Sequence, residues 1–225
     1  MNALSLKGSY LYTFDPAQCP PGTAQPSSCY AYSGHGGVRG LGRISVTFLD
    51  RIDTSNAQCV RDIVEGGSIA DAHGSLIFSA QPPSGGPCIP VGPGTIPLVY
   101  TITGGTGAFA GASGTGTLTQ HTAASDRGAG EWDGTVSAPG YTFDVTPPVF
   151  RGAVAKSIAV APGVRTVRVR FSVTAVDAVD GKVPATCVPR SGSRFRAGRA
   201  KVRCTAADSS ANSAGVAFTI TVRHR

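Results

Sequence analysis

The sequence predicts an all-β protein of two domains. Three observations carry this reading: glycine and proline usage, period-two alternation of apolar residues, and a change of charge near residue 144. Thirty Gly and sixteen Pro in 225 residues favour short strands and frequent turns, because both residues break helices. A chain of this length is one large domain or two small ones. Residues 1–143 hold six Lys/Arg and nine Asp/Glu, a net charge of −3, whereas residues 144–225 hold fourteen and four, a net charge of +10. Two halves so different in charge place a boundary at 143/144.

The strands follow in order. In GSYLYTF, Tyr10, Tyr12 and Phe14 share one face and Leu11 and Thr13 the other. ISVTFL places Ile44, Val46 and Phe48 together, and PLVYTITG does so with Leu98, Tyr100 and Ile102. GSLIFSA, GTGTLTQ and EWDGTVS complete the series. Such alternation gives each strand one buried face. A short helical turn is expected at AQCVRDIVEGG, and a strand is expected to end near Phe143. The loops DPAQCPPGTAQPSSC and QPPSGGPCIPVGPG are too rich in proline for central strands.

The stretch GGTGAFAGASG, Gly104 to Gly114, is a turn or bulge between two strands, with Phe109 as its anchor. It lacks the Lys-Ser/Thr of a phosphate loop and no βαβ unit surrounds it. In its order, strand then ITGGTGAFAGASGTGTLT, it resembles the glycine-rich turn of dirigent and allene-oxide-cyclase-like proteins. That resemblance implies an antiparallel β-barrel over residues 1–143. It also implies a cavity for reactive hydrophobic molecules, handled without metal or nucleotide. The inserted Cys19/Cys29 and Cys59/Cys88 segments are not part of that pattern.

Pro147-Pro148 predicts a stiff, extended connection. Beyond it, TVRVRFSV buries Val167, Val169, Phe171 and Val173 and exposes Arg168, Arg170 and Ser172. AKVRCTA buries Val202, Cys204 and Ala206, and VAFTITV buries Val216, Phe218, Ile220 and Val222. One buried and one solvated face per strand predicts a two-sheet sandwich. The residues Asp144, Pro147-Pro148, Ala175-x-Asp177, Asp180-Gly181, Cys187, Ser191-Gly192-Ser193-x-Phe195, Gly198, Val202-x-Cys204-x-Ala206-x-Asp208, Asn212 and Phe218-x-Ile220-x-Val222 make this segment resemble the HYR (hyalin repeat) family. The resemblance implies an immunoglobulin-like β-sandwich over residues 144–225 and an adhesion-related role.

Six Cys, with no C-x-x-C and no His at zinc spacing, predict disulfides. The expected pairs are Cys187–Cys204, Cys19–Cys29 and Cys59–Cys88. They point to an extracellular or cell-surface location. The opening MNALSLKGSYLY has no signal-peptide apolar stretch, so an export signal is expected outside this sequence. No apolar run is long enough for a membrane helix.

Two groups of side chains are candidates for function. Arg168, Arg170, Arg190, Arg194, Arg196, Arg199, Lys201 and Arg203 form a candidate contact for an acidic polysaccharide, or for another surface protein. A solvated face is the plainer reading, and without interleaved aromatics no specific nucleic acid is expected. Asp144, Asp177, Asp180, Asp208 and Asn212 are read as turn residues, with calcium weighed as the alternative. No cofactor and no metal is assigned.

No catalytic residue is assigned either. His35, His73, His121 and His224 are expected in exposed loops or at the terminus, and no Gly-x-Ser-x-Gly or His-Glu-x-x-His is present. Asp50, Asp53, Asp62, Glu65, Asp71, Glu131 and Asp133 offer carboxylates that spacing alone does not pair. Trp132 and Tyr100 are expected in the core. The sequence therefore reads as a binding or adhesion protein without enzymatic activity. A small-molecule binder or cyclase-like barrel is the alternative.

Overall fold

The computed structural model describes residues 3–23, 26–53, 61–84, 93–124 and 126–225. These contain strands and no helix, in two compact units, residues 1–144 and 145–225.

The first unit is a closed antiparallel barrel of eight strands in sequence order. They are β1 (Leu4–Ala17), β2 (Ser27–Val38), β3 (Gly42–Asp53), β4 (Arg61–Ala70), β5 (Gly74–Gln81), β6 (Gly94–Gly107), β7 (Ser113–Ala124) and β8 (Arg127–Ser137). Strand β1 closes the barrel on β8, with Leu4 opposite Val136 and Thr13 opposite Arg127. The alternation in the sequence sends Tyr10, Tyr12, Ile44, Val46, Phe48, Leu98, Tyr100 and Ile102 inward, all buried in one core.

An eight-stranded barrel is just wide enough for its own side chains to fill. Here aromatic rings do the filling. Trp132 stacks on Tyr10 at 5.8 Å and meets Phe78 and Tyr100 edge-on at 4.9 and 5.0 Å. Glycines opposite the rings make the room. A β-carbon at Gly130 collides with the Tyr10 ring, one at Gly128 with Tyr12, and one at Gly67 with Phe78. The outward rows, such as Ser5, Lys7 and Ser9 on β1 and Glu131, Asp133 and Thr135 on β8, are exposed. Aromatic inside and polar outside is the reverse of a lipid-facing barrel. Among the described residues, no helix is long and apolar enough to cross a membrane.

The glycine-rich segment runs from the end of β6 through a turn at 108–112 into β7, and Phe109 in the turn is fully buried. Gly107 has φ +59°, and a β-carbon there meets the His73 carbonyl, so glycine is required. Phe109 stacks on Phe143 at 5.9 Å and meets Tyr141 edge-on at 5.1 Å. Strand β8 ends at Ser137, earlier than the expected end near Phe143. Residues 138–143 leave the barrel wall because Tyr141 and Phe143 are drawn onto Phe109 instead.

The expected helical turn at 57–67 is also corrected. Residues 61–70 are strand β4, whose register on β5 shifts between Val64 and Gly67. Residues 57–60 lie outside the described part.

The second unit is built from β9 (Val149–Arg151), β10 (Lys156–Val160), β11 (Thr166–Arg168), β12 (Thr174–Asp177), β13 (Gly181–Val183), β14 (Ala185–Val188), β15 (Arg194–Arg196), β16 (Gly198–Ala207) and β17 (Ser213–His224). They form sheets in the orders β10-β17-β16-β14, β11-β15 and β13-β12-β9. Val169, Phe171, Phe195, Val202, Phe218, Ile220 and Val222 bury themselves in one core. Sheets sharing a core through alternating side chains make a β-sandwich. TVRVRFSV is not one strand. It is ordered as β11, then a segment in which Phe171 N–H donates to Ser191 Oγ at 2.9 Å. The inward placement of Val169 and Phe171 holds nonetheless.

Two disulfides are present among the described residues. Cys19 pairs with Cys29, and Cys187 pairs with Cys204, its register partner across β14 and β16. The expected Cys59–Cys88 pair lies outside the described residues.

Candidate functional site

Six of the candidate basic side chains of the sandwich occupy two strand groups, and Arg170 and Arg190 lie in adjoining loops. All eight of Arg168, Arg170, Arg190, Arg194, Arg196, Arg199, Lys201 and Arg203 are exposed. Half-buried Val167 and buried Phe195 turn their neighbours outward, so Arg168 on β11 stands directly opposite Arg194 on β15, with Arg196 two residues on. On β16, buried Val202 and Cys204 likewise turn Lys201 and Arg203 to solvent, in line with Arg199. Arg168 donates to the Gly192 carbonyl at 3.4 Å. None of the eight makes an ion pair among the described residues.

The acidic residues lie in turns. Asp177 ends β12, and its Oδ1 accepts the N–H groups of Val179 and Asp180 at 2.7 and 3.0 Å. Asp208 follows β16, and its Oδ1 accepts Asn212 N–H at 2.8 Å while its Oδ2 accepts Asn212 Nδ2 at 2.9 Å. This is the turn chemistry expected of these residues. The two turns are also tied together. Ser209 donates its N–H and its hydroxyl to the Asp180 carboxylate, each at 2.8 Å. Ser209 was not singled out in the sequence, and its place after Asp208 is the one signal for it. Carboxylate oxygens of Asp177, Asp180 and Asp208 lie within 4.8 Å of one another. The backbone N–H bonds from Asp180 and Val179 hold the Asp177 carboxyl below the usual carboxylate range, so it is ionised at neutral pH. Asp144 is the last residue of the first unit.

The histidines do not converge. His35 is in strand β2, not in a loop, because Gly34 and Gly36 on either side face inward against Tyr12 and Tyr10 rather than making a turn. His121 is in β7, also not in a loop, and hydrogen-bonds Thr95 at 3.0 Å. Both flank exposed Leu11 and half-buried Ala129 on the outer wall, where an open pocket of about 580 Å³ lies. His73 pairs with Asp71 at 3.3 Å in the β4–β5 turn. His224 ends β17.

The carboxylates of the barrel are equally scattered. Asp50 is buried inside, Glu131 and Asp133 point outward, and Asp133 pairs with Lys7 at 3.2 Å. Tyr100 and Trp132 are core residues, and burial, then the charge of Asp133, pushes the Tyr100 phenol up to about 12. The side chains of Asp62 and Glu65 lie outside the described part.

Comparison with known families addresses the sandwich. The family model of the HYR domain matches residues 143–222. The C-terminal module is an HYR domain. The match spans the module's strands, its Cys187–Cys204 disulfide and both acidic turns. No curated protein and no solved structure matches the chain.

Proposed function

We propose that this chain is an extracellular or cell-surface binding protein, without enzymatic activity, whose HYR module engages acidic partners. The observation that carries the reading is the set of eight exposed cations on β11, β15, β16 and the adjoining loops, none in an ion pair among the described residues. Like charges on neighbouring positions, such as Arg168 and Arg194 across β11 and β15, repel, and a polyanion relieves that repulsion. The association of HYR domains with adhesion proteins and the disulfides support an extracellular setting. An acidic polysaccharide is the preferred partner class, because regularly spaced anions match cations displayed at every second residue of a strand.

The barrel, whose glycine-rich turn resembles that of dirigent and allene-oxide-cyclase-like proteins, is read as a rigid domain that takes no part in this binding. Its interior supports that reading over a ligand-carrying one. Tyr10, Phe78, Tyr100, Leu118 and Trp132 are at most 2% exposed, so side chains fill the space around them.

The test is retention of the full chain on a heparin column. Retention at low salt and release at moderate salt are expected, since screening shortens the reach of surface charge to about 8 Å at physiological ionic strength. An Arg168→Ser/Arg194→Ser/Arg196→Ser variant is expected to elute earlier. Free passage of the wild-type chain at low salt removes the proposal.

A further inference from the structure

Turn chemistry accounts for only part of the acidic corner of the HYR module. An Asx turn needs one acceptor oxygen, and Asn serves it as well as Asp. Yet three carboxylates from two separate turns bring oxygens within 4.8 Å of one another. None of the three makes an ion pair among the described residues, although the module is rich in Arg. Carboxylates this close oppose each other's ionisation.

A second observation points to a ligand. Asp177 is 3% exposed, and its Oδ2 is buried without a hydrogen-bond partner. Its Oδ1 is fully engaged by two backbone N–H groups. An ionised oxygen withdrawn from water and left without a donor is costly unless a cation meets it.

We propose that Asp177, Asp180 and Asp208 of the HYR module bind one calcium ion. Calcium takes oxygen ligands at 2.3–2.6 Å, so opposite ligands stand about 4.6–5.2 Å apart, whereas the tighter magnesium shell spans about 4.2 Å. Oxygens no more than 4.8 Å apart can share one shell of the larger ion. The hydrogen bonds from Ser209 and Asn212 do not compete with it. A carboxylate has about four lone-pair sites, so donors on one side fix the orientation and leave sites for the metal. The three carboxylates supply part of the six to eight oxygens that calcium takes, and main-chain carbonyls and water supply the rest. The ion would join the β12–β13 turn to the β16–β17 turn, which Ser209 already bridges to Asp180. This site is separate from the cations on β11, β15 and β16, and its test is independent of heparin retention.

The experiment is isothermal titration of the full chain with calcium chloride and, separately, with magnesium chloride. One calcium per chain is expected, with Kd in the range of roughly 10⁻⁴ to 10⁻³ M found for extracellular modules, and weaker binding of magnesium. At a tenfold excess over Kd, calcium raises the folded-to-unfolded ratio of the module about elevenfold. By scanning calorimetry its Tm rises by roughly 5–10 °C over that in chelator. Asp177→Asn tests the buried ligand. Asp180→Asn, at an exposed position, keeps the test valid if the first variant does not fold. Loss of calorimetric binding in a variant that still unfolds cooperatively supports the site. A wild-type chain that binds no calcium at about 10 mM, well above that affinity range, overturns the proposal. Binding that a folded Asp180→Asn chain retains unchanged overturns it equally.

Discussion

The barrel and the HYR module solve the same problem, closing a β-structure around a core, with opposite means. The barrel has strands of 8 to 14 residues, each paired on both sides, and a core of stacked rings set against glycines. The module has several strands of three to five residues and a smaller core, and its disulfide joins two paired strands, β14 and β16, whereas the barrel's Cys19–Cys29 closes only the loop between β1 and β2. A small domain buries a smaller fraction of its surface and so gains more from each staple. The difference teaches where each unit is vulnerable: the barrel to loss of ring volume, the module to loss of cross-links. The two are separately observable, because all six Tyr and the one Trp lie in residues 1–143. Intrinsic fluorescence therefore follows the barrel, while calorimetry follows both.

The largest expected effect is in the barrel. Phe78 is buried at the edge of Trp132 and 6.2 Å from Phe48. Phe78→Ala opens a cavity that closed neighbours cannot fill, at a cost of about 3–5 kcal/mol. Urea unfolding followed by Trp fluorescence measures it. A loss under about 1 kcal/mol, within the range of surface substitutions, contradicts the view that ring packing holds the barrel.

The module's counterpart is its disulfide. Cys187 and Cys204 are 17 residues apart, and closing such a loop contributes about 3 kcal/mol in the chain-entropy account. Cys187→Ser/Cys204→Ser is expected to lower the module's calorimetric transition and leave the fluorescence midpoint in place. An unmoved calorimetric transition means that the module's core suffices without the staple.

The same contrast explains what the sequence disclosed. Long alternating strands such as GSYLYTF and AKVRCTA were legible, because period two survives wherever one face is buried. Glycine misled in both directions. In SGHGG it reads as a loop around His35, yet Gly34 and Gly36 are strand residues lying close against the main chain of Tyr12 and Tyr10. That role depends on which residue stands across the ladder, which no local pattern reveals. Strand β4 was hidden because its pairing on β5 shifts register between Val64 and Gly67, so alternation fails there. Gln120 was equally invisible as a core residue. It is fully buried inside the barrel with both polar atoms lacking a partner among the described residues. In the acidic corner, the residue types and turns were legible and the convergence was not. That Asp180 meets Ser209, 29 positions away, is a tertiary fact.

The smallest expected effect sharpens the charge contrast. Arg168 and Arg194 are direct partners across β11 and β15, both exposed, in a module with net charge +10. Like charges directly opposite on a sheet destabilise it, and cross-strand pairs are worth roughly 0.2–1 kcal/mol. Arg194→Glu replaces repulsion with attraction at an unchanged backbone position, since buried Phe195 fixes which way residue 194 faces. The variant is expected to raise the module's stability within that range, and the gain is expected to shrink with added salt, because both groups are in solvent. The same change removes a cation from the proposed polyanion contact, so heparin retention is expected to fall as stability rises. Opposite movement of these two readouts means that the module gives up some stability to display its charge. A variant less stable at every salt concentration, with retention unchanged, means instead that Arg194 is held by packing along its stem and plays no part in binding.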